Sequence, residues 1–191
     1  PDVLSDMFSH LDNAEEYIEQ MDAERAADII ESMDADDAVD LLDELEEDTR
    51  SEIIELMDKE AVEDINLINS YDEDEVGSRM TTNFILLKSD MSVKQAMKSM
   101  VEQASENDNV STIYVENASG EYYGAIALRD LVVARQGIAL DDIIMTSYPS
   151  VDADEQIEEC IERLKDYAED SIPVLGKNKE VLGVITSTDL I

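Results

Sequence analysis

Pairs of carboxylates four residues apart recur along the first third of the sequence, and such pairs can bind a cation. One pair, Asp36 and Asp40, lies in the stretch MDADDAVDLLDEL, which contains no lysine or arginine. On a helix the two side chains share a face, with their Cβ atoms about 5–6 Å apart. Oxygen ligands in this arrangement suit Mg²⁺, which keeps several waters and needs only one or two carboxylates.

Spacing alone does not select this pair, because equivalent pairs lie one unit before it (Glu24 and Asp28) and one unit after it (Asp48 and Glu52). Acids on an outward helix face are commonly only solvated, and this alternative stays open. The composition favours a role for cations, since 49 acids face 13 bases and the net charge is −36. That charge attracts cations or a basic protein and argues against nucleic acid as a partner.

Other kinds of chemistry have little support in the sequence. Cys160 is the single cysteine and His10 the single histidine, which excludes an internal disulfide and a Cys/His zinc site. The sequence has no Walker loop, no G-x-G-x-x-G and no G-x-S-x-G motif, so we predict that it is not an enzyme. It also has no apolar run long enough to cross a bilayer.

The acidic pairs belong to a repeat of twelve residues. Its apolar positions are equivalent at Met21, Met33, Leu45 and Met57. An acid follows each of these positions, at Asp22, Asp34, Glu46 and Asp58. We therefore expect one short helix per unit, N-capped best where the acid is Asp, and stacked into a superhelical array. One continuous helix is the alternative, but no fixed heptad survives a step of twelve residues.

A second, looser repeat follows the run YDEDEVGSRMT (residues 71–81), which reads as a linker. The segments DMSVKQAMKSM (residues 90–100) and DEQIEECIERL (residues 154–164) each predict an acid-led amphipathic helix. After each comes a strand, a turn, a strand and a helix that opens at an Asp. The hairpin turns are expected at Asn117–Gly120 and Gly176–Asn178.

This doubled β-α-β-β-α order resembles a tandem pair of cystathionine-β-synthase (CBS) domains. The segment GVITSTDL (residues 183–190) is similar to the pattern of that family, a Gly, two apolar residues, a Ser or Thr, and an Asp three residues later. The first copy, GAIALRDL (residues 124–131), has Ala127 where a hydroxyl is expected.

An acidic helical array before a CBS pair, with its joining segment and the LRDLVVA run, resembles the cytoplasmic part of MgtE-type magnesium transporters. The implied fold is multi-domain, an all-α superhelical N-terminal domain followed by a tandem CBS-domain pair of α+β type. The expected divisions are 1–72 for the helical domain, 73–79 for the linker, 80–139 for the first CBS domain and 140–191 for the second, truncated at its last helix. The resemblance also implies a homodimer through the CBS domains, at the cytoplasmic face of the membrane. A transmembrane channel domain of the same full-length chain would lie outside this sequence.

The resemblance assigns roles to particular residues. Magnesium ligands would be Asp36, Asp40 and Asp6 on the helical domain and Asp154, Glu158 and Asp189 on the second CBS domain. ATP, if bound, would contact Arg129, Asp130 and Thr186. Asp189 has two competing roles, binding ribose hydroxyls together with Thr186 or only capping its helix. The segment YAEDSIP departs from the family, with Ala168 where a carboxylate is expected.

The function expected from these features is a cytoplasmic Mg²⁺ sensor attached to a Mg²⁺ channel, in which Mg²⁺ bridges acidic faces and favours a compact, pore-closing state. An alternative is an adenine-nucleotide-sensing CBS module with a helical protein-interaction scaffold. A third possibility is a structural adaptor whose acidic face docks a basic partner.

Overall fold

The chain divides into two compact units, Pro1–Asp72 and Glu73–Ile191. The structure is a computed structural model that describes residues 2–135, 137–186 and 189. The first unit carries 26 of the acids and 3 of the bases, a net charge of −23, and is therefore the more acidic of the two. Within the described residues, no helix combines the length and the apolar character needed to cross a membrane.

The first unit, which we call the helical unit, is built from short helices in the residues that the structure describes. They are α1 Asp2–Ser9, α2 Ala14–Glu19, α3 Ala23–Glu31, α4 Ala35–Glu44, α5 Glu47–Leu56 and α6 Lys59–Asn69. The last four begin twelve residues apart, so the prediction of one helix per repeat is confirmed and a continuous helix is excluded.

Each helix packs against the next but one in the sequence. The packed pairs are α1 with α3, α2 with α4, α3 with α5, and α4 with α6. Helices of this length are marginal alone in water, so their stability depends on the apolar faces they bury. The large side chains that this core buries almost completely include Ile18, Ile29, Ile30, Ile53 and Ile68, each no more than 2% exposed.

The N-termini of these helices are capped differently from the prediction. Asp22 does accept a hydrogen bond from the backbone N–H two residues on, at 3.0 Å. At α5 and α6, however, the N–H groups of Glu46 and Asp58 donate to the carboxylates of Glu19 (2.8 Å) and Glu31 (2.5 Å). Each of these carboxylates lies 27 residues earlier in the chain. Two caps are therefore tertiary contacts rather than local ones.

The second unit contains two copies of a β-α-β-β arrangement. The first copy consists of β1 Leu86–Lys88, α7 Val93–Ala104, β2 Thr112–Glu116, β3 Tyr122–Ala127 and α8 Leu128–Val133. The second copy consists of β4 Val151–Asp152, α9 Ile157–Leu164, β5 Ser171–Leu175 and β6 Val181–Thr186. Both predicted hairpin turns are confirmed. The helix predicted to open at Asp189 falls on Leu190 and Ile191, which lie outside the described residues.

Two helices, α7 and α9, begin later in the sequence than predicted. Ser92, not Asp90, precedes α7, and it forms a capping box with Gln95. In the second copy the helix begins at Ile157 rather than at Asp154. Asp154 therefore belongs to the turn before the helix.

The two copies exchange the short segments that lead into them. In each three-stranded sheet the first two strands are parallel and the last two antiparallel. Thr81, which precedes the first copy, pairs with Val184 on β6 of the second. Met145, which precedes the second copy, pairs with Ala125 on β3 of the first. A Met-Thr dipeptide lies in each of these exchanged segments, at Met80-Thr81 and at Met145-Thr146.

Candidate metal centre

Three carboxylates come together at the N-terminal end of α4. Oxygen atoms of Asp34, Asp36 and Asp37 all lie within 4.8 Å of one another, and all three residues are half-buried. Asp34 occupies the N-cap position and the other two lie in the first turn. The positive end of the helix dipole is favourable for carboxylates at these positions.

The spacing of the three carboxylates suits a hydrated Mg²⁺. Oxygens bound directly to an octahedral Mg²⁺ at about 2.1 Å are separated by at most about 4.2 Å. A spread of up to 4.8 Å therefore fits direct binding by one or two carboxylates, with water bridging to the third.

Asp40, the predicted partner of Asp36, lies outside this cluster. It is exposed one turn further along α4, where its negative charge and that of Glu15 on α2 repel the negative charge of Glu44. Partial desolvation, the negative charge of Glu15 and a hydrogen bond between the two side chains raise the pKa of Glu44, and the charge of Asp40 adds to this. Asp36 thus belongs to the group of three carboxylates at the start of α4, while the charge of Asp40 acts on Glu44 one turn later.

Sequence reasoning missed four members of these two groups, Asp34, Asp37, Glu15 and Glu44. The repeat predicts Asp34 only as a helix cap and gives no role to Asp37. Glu15 lies about two repeats before Asp40 and Glu44, and helices two repeats apart are the ones that pack together. The twelve-residue period, doubled, was the signal that could have found it.

The other predicted ligands are not members of the group of three carboxylates on α4. Asp6 is exposed on α1, and its backbone carbonyl lies 3.0 Å from Nδ1 of His10. In the second unit, Asp154 is exposed in the turn before α9 and Glu158 is exposed in the first turn of that helix. The described part of the chain shows no group of three carboxylates around either of them.

The two copies differ at the predicted nucleotide positions. The Asp189 carboxylate accepts hydrogen bonds from the Thr186 N–H (2.8 Å) and from its hydroxyl (2.7 Å). The two predicted ligands of the second copy thus bond to each other. In the first copy, Arg129 and Asp130 are exposed on α8, where Ala127 offers no hydroxyl.

An open groove of about 770 Å³ lies elsewhere in the first copy. It runs between the N-terminal turn of α7 and the segment after α8, and its apolar lining includes Met91, Met97, Leu131 and Leu140. Arg129 and Asp130 do not line it. The nucleotide candidates and this groove are therefore separate features.

Comparison with protein families accounts for both units. The family model for the MgtE intracellular N domain matches residues 1–74, and the CBS-domain model matches residues 74–137 and 140–191. The chain consists of an MgtE intracellular N domain followed by a tandem pair of CBS domains. This confirms the predicted fold class, a helical N-terminal region followed by a CBS pair.

Two relatives of the chain are named magnesium transporter MgtE. The protein from Thermus thermophilus is 26% identical over 136 residues, which cover 71% of this chain and 30% of that protein. The protein from Enterococcus faecalis is 29% identical over 132 residues, which cover 69% of this chain and 29% of that protein. The chain thus spans less than a third of the length of the MgtE relatives it matches.

Two solved structures resemble the chain over nearly its whole length. One is described as the soluble part of a magnesium transporter, with a TM-score of 0.91 and 28% identity, covering 100% of this chain and 76% of that one. The other is the cytosolic domain of the Mg²⁺ channel MgtE in complex with ATP, with a TM-score of 0.89 and 25% identity, covering 97% of this chain and 77% of that one.

Proposed function

We propose that this chain is the cytoplasmic Mg²⁺-sensing region of a Mg²⁺ channel or transporter and has no enzymatic activity. The observation that carries the proposal is the cluster of Asp34, Asp36 and Asp37 on α4. Its donor set and spacing suit hydrated Mg²⁺, and relatives of the chain are named magnesium transporters.

The proposed mechanism uses the repulsion between carboxylates. The helical unit has a net charge of −23 and the second unit one of −13, so each resists the approach of more negative charge. In the proposed compact state, Mg²⁺ bridges Asp36 and Asp40 of the helical unit to Asp154, Glu158 and Asp189 of the second. A ligand shifts a conformational equilibrium only by binding one state better, and sites completed in the compact state meet that requirement.

Small-angle scattering of this chain during a Mg²⁺ titration tests the proposal. At an ionic strength where the Debye length is about 8 Å, the radius of gyration should fall with Mg²⁺ but not with KCl of matched ionic strength. A double variant, Asp36→Asn with Asp40→Asn, should weaken the response. A radius of gyration that responds equally to both salts would show that the acids are only a solvated surface, and it would contradict the proposal.

Adenine-nucleotide sensing is the second candidate function. It is favoured by the resemblance to a cytosolic domain that was solved in complex with ATP. On this chain the first copy suits the role better, because Asp130 is exposed whereas Asp189 is bonded to Thr186. Thermal unfolding with ATP in the absence of Mg²⁺ tests it. Arg129→Ala should abolish any stabilisation by ATP, while Lys98→Ala, a change to another exposed base, should preserve it.

We further propose that two chains associate through their CBS domains. Three apolar side chains on α7 and α8 are exposed, Val101 (60%), Val132 (58%) and Val133 (65%). Burying such residues against a second copy would remove them from water. Sedimentation should show a dimer that Val133→Glu dissociates, whereas Val3→Glu, at a 77% exposed residue of the helical unit, leaves it intact. A monomer at all concentrations would contradict this proposal.

A further inference from the structure

The first CBS copy is far less negatively charged than the rest of the chain. Residues 80–139 carry 7 of the 49 acids and 5 of the 13 bases, a net charge of −2. The second copy, residues 140–191, carries 13 acids and 4 bases, a net charge of −9, and the helical unit has one of −23. Since like charges repel, two molecules of this chain can approach at the lowest electrostatic cost through their first copies.

The outer surface of α7 and α8 combines basic and apolar side chains. On α7, Lys94, Lys98 and Val101 are exposed and lie at positions i, i+4 and i+7, which places them on one side of the helix. Helix α8 packs against α7 and exposes Val132 and Val133. We call these five residues the α7–α8 face. Exposed apolar side chains grouped in this way are typical of a surface that contacts another macromolecule.

The groove of the first copy opens beside this face. Two residues of the α7–α8 face, Lys94 and Val132, also line the groove. Ile138, which is 39% exposed, and the exposed Ala139 line it from the segment after α8. The buried Leu131 lines it as well. An apolar group that enters the groove would therefore cover both its lining and part of the α7–α8 face.

The charge of the groove indicates what kind of group enters it. Among the described lining residues, Asp90, Lys94 and Asp141 are charged, so their net charge is only −1. A strongly basic partner would be attracted more to the helical unit, and a strongly acidic partner would be repelled by the chain as a whole. Helix α8 of a second copy fits best, because its exposed Val132 and Val133 are apolar and its CBS copy is nearly neutral.

We infer that two chains meet through their α7–α8 faces and that α8 of each chain lies in the groove of the other, with Val133 as the inserted side chain. Such a contact is two-fold symmetric, because both chains use the same face and the same groove. This inference rests on the association proposed above, to which it adds the contact surface and the occupant of the groove. The two more acidic parts of each chain stay outside the contact.

Sedimentation equilibrium of the whole chain tests the role of the α7–α8 face. Lys98→Glu changes the charge of each face by −2 and should raise the dissociation constant of the dimer by about tenfold or more, because like charges opposed across an interface repel. Lys59→Glu is the matched control. Both lysines are exposed and pair with a glutamate four residues later, Lys98 with Glu102 at 3.8 Å and Lys59 with Glu63 at 3.3 Å. The control should leave the dissociation constant nearly unchanged, and equal effects of the two variants would overturn the α7–α8 face as the contact.

A second pair of variants tests the occupant of the groove. Ala139→Trp places a large side chain in the groove from an exposed position, and it should also weaken the dimer by about tenfold or more. Ala118→Trp makes the same change at an exposed residue of the turn between β2 and β3 and should have no effect. A dimer that Ala139→Trp leaves intact would overturn the insertion of α8, although the proposed association of CBS domains would stand. A wild-type chain that is monomeric at all concentrations would contradict both.

Discussion

Tyr114 and Ser171 join their hydroxyls in a buried hydrogen bond, although one lies on β2 of the first CBS copy and the other on β5 of the second. The Ser171 carbonyl also accepts a hydrogen bond from the Tyr148 hydroxyl. The rings of Tyr114 and Tyr148 meet edge to face, with centroids 6.0 Å apart. Burial raises the pKa of Tyr114 far above its usual value, which keeps the hydroxyl protonated and available for this bond. The two copies are therefore held together by a polar contact inside an apolar core.

Tyr114→Phe should lower the free energy of unfolding of the CBS pair by about 1–3 kcal/mol, because it leaves the buried Ser171 hydroxyl without this partner. Ser171→Ala should have a similar effect. Denaturant unfolding of both single variants and of the double variant measures the coupling. Tyr123→Phe is the control, since its hydroxyl bonds to the exposed Asp141. Strictly additive losses in the double variant would show that the two hydroxyls do not interact.

Gly183→Ala should destabilise the second copy by about 1–3 kcal/mol through overpacking. A Cβ atom there would lie 2.7 Å from the Thr81 carbonyl oxygen and 3.0 Å from Sδ of Met80, in the exchanged segment. Gly120→Ala makes a useful comparison because its Cβ would meet nothing within 4 Å. Because Gly120 has a φ of 78°, backbone strain is the only cost of this substitution, about 1 kcal/mol. Thermal unfolding should therefore show the larger loss for Gly183→Ala, and the reverse order would contradict the close approach.

Glu44→Gln should stabilise the helical unit near pH 7 by a few tenths of a kcal/mol, the size of a like-charge pair four residues apart on an exposed helix. Because the folded pKa of Glu44 is raised above 4.5, the folded state favours the protonated form. Protonation of Glu44 in the wild-type chain therefore stabilises the fold. This stabilisation is complete below about pH 4.5 and is lost as the pH rises through the raised pKa. Thermal unfolding across this range should show the advantage of Gln at high pH and low salt only. An advantage of Gln that is the same at low and at high pH would contradict this explanation.

Asp36→Asn should raise the Mg²⁺ concentration needed for half-maximal response by about tenfold or more, since even outer-shell partners of a metal have effects of that size. Asp48→Asn is the matched control, because Asp48 occupies the same position of the repeat one unit later and is exposed on α5. The shift in unfolding temperature during a Mg²⁺ titration provides the measurement. Equal changes in both variants would mean that Mg²⁺ binding depends on the total charge of the chain rather than on the cluster on α4.

Glu31→Ala should lower the stability of the helical unit by about 1 kcal/mol, the usual cost of losing a helix cap. The Asp58 N–H at the start of α6 would lose its acceptor, although the change is made three helices earlier, at the end of α3. Urea unfolding can compare this variant with Glu55→Ala, an exposed residue of α5. Equal stabilities would show that water replaces the Glu31 carboxylate at no cost.

The helices and strands were largely predictable because their signals are local. The repeat fixed the starts of α3 to α6, and the pattern around Gly183 and Asp189 indicated a CBS pair. The errors also have local causes. Ser92 with Gln95 outcompeted Asp90 as a cap since the capping box satisfies two backbone groups at once.

The candidate site was predictable only in part, because it depends on which helices pack together. Sequence spacing could identify Asp36 as one carboxylate on a face of α4. It could not show that Glu15 of α2 lies beside Glu44, or that Glu31 reaches the start of α6. Those contacts follow from the packing of different helices, and the residue pattern within one helix does not show which other helix it meets.

The exchanged segments also impose an order on synthesis. Thr81 leaves the ribosome long before Val184, the residue on β6 with which it pairs. At about 5–20 residues per second, the roughly one hundred intervening residues take about 5–20 s to make. During that time the first copy can complete its own sheet. The segment around Met80 stays exposed, because its backbone groups lack their hydrogen-bond partners on β6. A pause in translation after the first copy would prolong this exposure, so the nascent chain is most open to chaperones or aggregation before β6 emerges.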